Sequence, residues 1–252
     1  MSTPSGTFVW YELIAGDPAA AESFYRTVIG WQARDAEVPG MTYRILSAGE
    51  RPVAGLVGLS GEGASARPGW LGYIGVDDVD AASARIAAAS GAILHAPADI
   101  PGVGRFAVVT DPQGALFALF QGEEQPMPPV PEGAPGHVAW HELHARDEEA
   151  AFAFYAGQFG WTRADALDMG PKGLYQMFAT GGPPVGGVMA SPDAAPFWLF
   201  YITVESLDAA LDRAARAGGH TVQDPTEIPG GQWIAQCRDP EGTPFALVAP
   251  RR

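Results

Sequence analysis

The sequence predicts an α+β fold assembled from a β-α-β-β-β unit that occurs four times, two units in each half of the chain. Three observations predict it. A shift of 130 residues lays Gly6–Asp35 over Gly136–Asp165 with 13 identities in 30 pairs, among them Trp10/Trp140, Glu12/Glu142, Asp17/Asp147 and Tyr25/Tyr155. The match then continues at slightly different offsets, YRILSAGERPVAG from Tyr43 over YQMFATGGPPVGG from Tyr175, WLGYIGV from Trp70 over WLFYITV from Trp198, and VVTDPQGALFALF over QCRDPEGTPFALV. Finally, prolines crowd EEQPMPPVPEGAPG between the halves, which rules out a continuous helix or central strand and favours an extended linker. The expected division is residues 1–122, a linker over 123–135, and residues 136–252.

Each element follows from its local pattern. VWYELIA and AWHELHA are strands that end at Asp17 and Asp147, where a carboxylate can accept the orphan N–H groups of a helix start. Pro18 suits the first helical position, and Glu148 and Glu149 suit the positive end of the helix dipole. Phe24, Tyr25 and Val28, and then Phe152, Tyr155 and Phe159, give helical stripes that belong in a core. After the WLGYIGV and WLFYITV strands, DVDAASARIAAASG and SLDAALDRAARAGG are helices whose closing glycines suit a left-handed C-terminal position. DPQG and DPEG fit type I turns between the last strands of each half. Sheets built this way twist and curl, so each half offers a concave face, a cup. The glycine-containing loops Gly102–Arg105 and Gly230–Trp233 fit either mobile lids or tight turns, and neither resembles a phosphate-binding loop.

Bulk properties exclude several classes of function. A formal charge of −14, with Lys172 as the one lysine, repels phosphate backbones and anionic lipid, so neither nucleic acid nor a membrane surface is an expected partner. No run approaches a membrane span, and Met1–Gly6 lacks the make-up of a signal peptide, so a cytoplasmic location is expected. Cys237 has no cysteine partner in the chain and reads as a small hydrophobe on a strand.

The strand ending in aspartate, followed by Phe24, Tyr25, Gly30 and Trp31 and repeated from Asp147, resembles the opening of a vicinal-oxygen-chelate domain. VDDVDAA at Val76 and IPGVGRFAVVTDPQGALFAL at Ile100 resemble the second module of that superfamily, which contains glyoxalases, bleomycin-resistance proteins and extradiol dioxygenases. The tandem form with WYEL and WHEL strands is similar to the antigen-type members often called hydroxylases. The resemblance implies two paired-module glyoxalase-like domains with curled mixed sheets, forming an intramolecular pseudo-dimer that is itself a monomer or homodimer. It is specific for fold and weak for reaction.

The resemblance also implies where a divalent metal would be held, and these positions carry no donor. The first-strand positions are Trp10 and Trp140, whose indole N–H only donates, and the last-strand positions are Ala118 and Ala246. The remaining positions fall on Leu71 and Leu199 and on VAGLVGL and VGGVMAS, which have no acid. Strand alternation places Trp140, Glu142 and His144 on one face, so Glu142 and His144 could hold a displaced ion together. The same face of the first half reads Trp10, Glu12, Ile14. The blander reading makes His137, His141 and His144 partly solvated polar residues.

Glu12 and Glu142 are the expected catalytic candidates, each open to three readings: general base, acceptor for a ligand, or anchor for backbone N–H groups. Trp10, Tyr73 and Phe120 in the first cup, and Trp140, His144 and Tyr201 in the second, are the expected ligand-binding residues. Their aromatic and aliphatic lining, with Leu71, Leu116, Leu199, Thr203 and Val248, suits a flat apolar organic molecule. Three functional expectations stand, the blandest being that one half carries the function and the other only packs against it. A second is metal-free binding of a small, largely apolar or aromatic molecule, as in the resistance members or an accessory protein. The third is an enzyme, a lyase, isomerase or dioxygenase using Glu12 or Glu142, with or without a divalent metal near His144.

Overall fold

In the computed structural model, residues 5–36, 42–59, 68–122 and 130–252 are described, apart from the side chain of Lys172. The proline-rich part of the expected linker, residues 123–129, lies outside them. The β-α-β-β-β unit does occur four times. The first runs β1 (Phe8–Ala15), α1 (Pro18–Ile29), β2 (Gln32–Ala36), β3 (Tyr43–Ala48) and β4 (Arg51–Gly58). The second is β5 (Gly69–Gly75), α2 (Val79–Ala88), β6 (Ala92–Ile100), β7 (Gly104–Thr110) and β8 (Leu116–Gly122). The third is β9 (Val138–Ala145), α3 (Glu148–Phe159), β10 (Thr162–Asp168), β11 (Leu174–Ala179) and β12 (Pro184–Ala190), with a 3-10 turn at Gly170–Lys172. The fourth is β13 (Phe197–Thr203), α4 (Leu207–Arg216), β14 (His220–Glu227), β15 (Trp233–Arg238) and β16 (Pro244–Ala249).

Each half supplies one eight-stranded mixed sheet, in the order β2-β3-β4-β1-β5-β8-β7-β6 and its counterpart β10-β11-β12-β9-β13-β16-β15-β14. The order is fixed by two kinds of link. Short turns pair β3 with β4 and β7 with β8 antiparallel, whereas the helical crossovers leave β1 parallel to β4 and β5 parallel to β8. Contacts divide the chain into two compact units, each interleaved in sequence. One comprises Met1–Trp10, Leu71–Pro129 and Trp140–Trp198, and the other Tyr11–Trp70, Val130–Ala139 and Leu199–Arg252. Each unit therefore draws one helix from each half, α2 with α3 and α1 with α4.

The caps are where the sequence places them. Asp17 accepts from the N–H groups of Ala19 and Ala20 at 3.0 Å, and Asp147 accepts from Ala150 at 2.9 Å. One expectation is corrected. At the end of α2 the left-handed position belongs to Ser90 (φ 68°), not to a glycine, while Gly218 (φ 90°) does fill that role after α4. Gly91 is needed for space instead, since a Cβ there would lie 2.4 Å from the Thr110 carbonyl oxygen.

The helical stripes form the cores as expected. Phe24, Tyr25 and Val28 are buried with Leu13, Leu56, Leu207 and Phe245, and Phe24 meets Phe245 edge to face at 5.7 Å. Burial of aromatic side chains of this size is worth about 2 to 3 kcal/mol each. Within this packing Tyr25 donates to Asp239 Oδ2 at 3.2 Å and accepts from Trp70 Nε1 at 3.0 Å. The other unit repeats the arrangement, with Tyr155 bonded to Asp111 at 3.3 Å and to Trp198 at 3.1 Å. Thus the aspartates of the two DP-x-G turns each tie a turn to a helix from the opposite half. The next residue but one adds a second tie. Gln113 Oε1 accepts from the backbone of Arg146 and Asp147, and Glu241 from that of Gly16 and Asp17.

Candidate functional site

The chemistry concentrates on one face of β9. Strand alternation puts Trp140, Glu142 and His144 on the same side, and β12 runs parallel beside them with Gly187 opposite Glu142 and Met189 opposite His144. Gly187 leaves room for Tyr175 of β11, because a Cβ there would stand 2.2 Å from the tyrosine ring. Tyr175 crosses that gap and becomes the centre of a hydrogen-bond chain. Trp140 Nε1 donates to its hydroxyl at 2.6 Å, and the hydroxyl donates to Glu142 Oε2 at 3.1 Å. Glu142 Oε1 meets His144 Nε2 at 2.8 Å, and His144 Nδ1 meets Ser191 Oγ at 3.0 Å. Phe197 lies flat on the imidazole, with centroids 4.5 Å apart and planes 8° from parallel.

Burial grades along this chain. The Glu142 and His144 side chains are 7% and 11% exposed, whereas Ser191 is half-buried. A carboxylate this far from water needs donors, and Tyr175 and His144 supply one to each oxygen. Within the protein Glu142 thus acts as an anchor for two side chains, Tyr175 and His144.

The three expected histidines separate sharply. His141 is on the opposite face of β9, 8% exposed, stacked on Phe8 at 4.2 Å and bonded through Nδ1 to the Val185 carbonyl at 2.6 Å. Its burial pushes the imidazole pKa down to about 4. It is a core group and not a partly solvated one, because the strand's second face is covered where solvent was expected. His137 lies near the start of β9, with Nδ1 3.1 Å from the Pro135 carbonyl.

In the unit that holds this chain, Trp10, Tyr73 and Phe120 come together as expected. Leu71, Tyr73 and Ala118 are buried, and Trp10, Phe106, Leu116 and Phe120 pack against them. Tyr73 meets Phe120 edge on at 6.3 Å. Glu12 and Tyr201 lie in the other unit. Glu12 is half-buried opposite Gly55, over which Tyr43 sits as Tyr175 sits over Gly187. Tyr201 is 2% exposed and its hydroxyl accepts from Gln236 Nε2 at 2.9 Å. The glycine loops at Gly102 and Gly230 are tight turns, closed by Val103 N–H on Ile100 O and Gly231 N–H on Ile228 O. A hollow of about 430 Å³ bordered by Gly133, Pro135, Val204, Glu205, Pro250 and Arg251 involves none of the expected residues.

The positions at which the family resemblance implies metal ligands carry no donor side chain. Ala118, Leu71, Ala246 and Leu199 stand buried at positions where lone pairs would be required. Glu142 and His144 face one another with the very atoms an ion would need, and their remaining acceptor and ring nitrogen are taken by Tyr175 and Ser191. Among the described residues no three His, Cys, Asp or Glu side chains are grouped to hold an ion.

Sequence reasoning did not single out Tyr175, Ser191 or Phe197. Tyr175 was within reach, since it recurs as Tyr43 with a glycine twelve residues on in both halves. Ser191 and Phe197 were not, because the repeat draws attention to shared residues and these two are unshared.

Comparison with known proteins agrees with this architecture. The profile of the Glyoxalase/Bleomycin resistance protein/Dioxygenase superfamily matches twice, over residues 7–119 and 135–247. A Mycobacterium tuberculosis relative named as a candidate glyoxylase, CFP32, is 31% identical over 97% of this chain and 95% of its own length. The anthracycline biosynthesis protein DnrV of Streptomyces peucetius is 31% identical over 98% and 94%. Among solved structures, the Mn(II)-bound glyoxalase of Novosphingobium aromaticivorans aligns with a TM-score of 0.68 at 17% identity, covering 98% of this chain and 83% of that one. The 2,2',3-trihydroxybiphenyl 1,2-dioxygenase of Sphingomonas wittichii strain RW1 aligns equally well, 0.68 at 13% identity, over 97% and 90%.

Proposed function

The chain belongs to the Glyoxalase/Bleomycin resistance protein/Dioxygenase superfamily, and on that premise we propose that it binds a small, largely apolar or aromatic organic molecule, without a metal, against the Trp140–His144 face of its second half. The observation that carries this reading is the hydrogen-bond chain from Trp140 through Tyr175, Glu142 and His144 to Ser191. Glu142, bonded at both oxygens, holds Tyr175 and His144 in place, and His144 orients Ser191; the hydroxyl oxygens of Tyr175 and Ser191 offer the few polar atoms that orient a ligand, while Trp140 and Phe197 offer flat apolar area. In the first half Trp10, Tyr73 and Phe120 form an apolar wall of the same kind. A relative named for anthracycline biosynthesis makes organic natural products the first molecules to screen. Among the described residues no helix is long and apolar enough to cross a membrane.

The test uses 2-naphthol, a flat aromatic with one hydroxyl, titrated into protein held in EDTA. Saturable quenching of tryptophan fluorescence, lost in Trp140→Ala, is the expected result, and quenching that requires added metal overturns the reading. One observation favours a second reading, an enzyme of lyase, isomerase or dioxygenase type using Glu12 or Glu142: the 2.8 Å contact of Glu142 with His144 is an acid–base pairing. Elemental analysis of protein purified without chelators separates the two. Stoichiometric metal that disappears in Glu142→Gln favours the enzyme with an ion displaced toward His144.

A further inference from the structure

The two halves differ at the site in a concerted way. Trp140, Glu142, Tyr175 and Gly187 have counterparts Trp10, Glu12, Tyr43 and Gly55. His144, Ser191 and Phe197 do not: in register they correspond to Ile14, Leu59 and Gly69. These three substituted side chains are the ones that touch each other in the second half, His144 bonding Ser191 and stacking on Phe197. Packing alone does not call for this, since the first half builds the same strands with an isoleucine on β1, a leucine just past β4 and a glycine on β5.

The direction of the hydrogen bonds follows from chemistry. A carboxylate only accepts, so His144 Nε2 carries the hydrogen that faces Glu142 Oε1. In the neutral imidazole Nδ1 is then an acceptor, and the hydrogen between it and Ser191 Oγ belongs to the serine. Phe197 holds the imidazole plane on one side. The result is a hydroxyl, a base within bonding reach, and a third group orienting the base, with accessibility rising from the buried carboxylate to the half-buried serine. That constellation marks an activated nucleophile.

We propose that Ser191 is a nucleophile activated by His144, and that it takes the acyl group of a small ester with an apolar or aromatic portion. Ser191 Oγ forms a bond to the carbonyl carbon while its proton passes to His144 Nδ1. Collapse of the tetrahedral species breaks the ester C–O bond, and the leaving alcohol or phenol departs with that proton. Water, giving a proton to the same nitrogen, then attacks the acyl-serine, and the acid is released as Ser191 recovers its hydrogen. Glu142 is a positioning residue that balances the imidazolium charge through Nε2–H and never touches the ester. The proposal uses the face on which the binding reading rests, and the two can fail separately.

The test treats the full chain with a phenyl-bearing fluorophosphonate, which forms an Oγ–P bond and expels fluoride, and maps the modified peptide by mass spectrometry. One adduct on Ser191 is expected, absent after urea denaturation, and formed about 100-fold more slowly by His144→Ala. With phenyl acetate, Glu142→Gln lowers kcat far more than it raises KM, a split that simple loosening of the fold does not produce. A folded wild-type protein that gains no adduct at Ser191, or gains it at a rate indifferent to His144→Ala, overturns the proposal. Should 2-naphthol still bind that wild-type protein in EDTA, the binding reading survives and the serine step alone is lost.

Discussion

His141 is expected to lower the stability of the fold as pH falls. Its ring is sealed between β9 and Phe8, 8% exposed, and its Nδ1 hydrogen is committed to the Val185 carbonyl. Burial withholds solvation from the imidazolium and pushes the pKa from 6.5 down to about 4, against the raising effect of that carbonyl. Well above pH 6.5 both the folded and the unfolded chain hold a neutral ring, so His141 withholds no stability there. As pH falls below 6.5 the unfolded chain takes up a proton that the folded chain refuses, and stability is lost until the folded ring titrates near pH 4. The interval from 6.5 to about 4, at about 1.36 kcal/mol per pH unit, amounts to roughly 3 kcal/mol. The perturbation is His141→Asn, whose amide can still donate to Val185. The assay is urea unfolding of both proteins from pH 7 to pH 4, read as the difference between the two stability curves. Asp111 and Asp239, whose pKa values burial raises, act in the opposite sense, but they are common to both proteins and cancel in the difference. Wild type should lose roughly 3 kcal/mol more than the variant across this range. Parallel curves would refute the assignment of His141 to the core.

Three further outcomes are expected. Tyr155→Phe strips the acceptor from buried Trp198 Nε1 and the donor from Asp111, and should cost about 1 to 3 kcal/mol by urea unfolding, with Tyr25→Phe costing the same through Trp70 and Asp239. Gly187→Ala drives a methyl into the Tyr175 ring and should weaken 2-naphthol binding about tenfold, whereas Gly55→Ala, which displaces Tyr43, should leave that affinity within about twofold. Glu241→Ala removes the acceptor for the N–H groups of Gly16 and Asp17, and hydrogen exchange at those two amides should speed up while that of Arg146 and Asp147, held by Gln113, does not change.

Most of the fold was written in repetition. Strand, aspartate, aromatic pair and glycine recur in order, and each sets a local structure: Asp17 and Asp147 cap helices, and Gly30 and Gly160 accept positive φ. What repetition does not state is which segments of the two halves meet. The buried Tyr155–Asp111 and Tyr25–Asp239 bonds span 44 and 214 residues, and only folding brings them together. The same limit applied at the site. Period-two alternation placed Glu142 beside His144, since that relation lies within one strand. Tyr175 and Ser191 arrive from β11 and the end of β12 through sheet register, which no single strand encodes. His141 was read as solvated because alternation assigns a face without saying what covers it.

The proposed metal-independent binding face of the second half depends on His144, and calorimetric titration of 2-naphthol in EDTA into wild type and His144→Ile examines that dependence. The substitution installs at position 144 the residue that stands at position 14. Binding of one molecule per chain by wild type, with the heat lost in His144→Ile, is the predicted result. Equal heats from both proteins, or heat that appears only when divalent metal is restored, would contradict it.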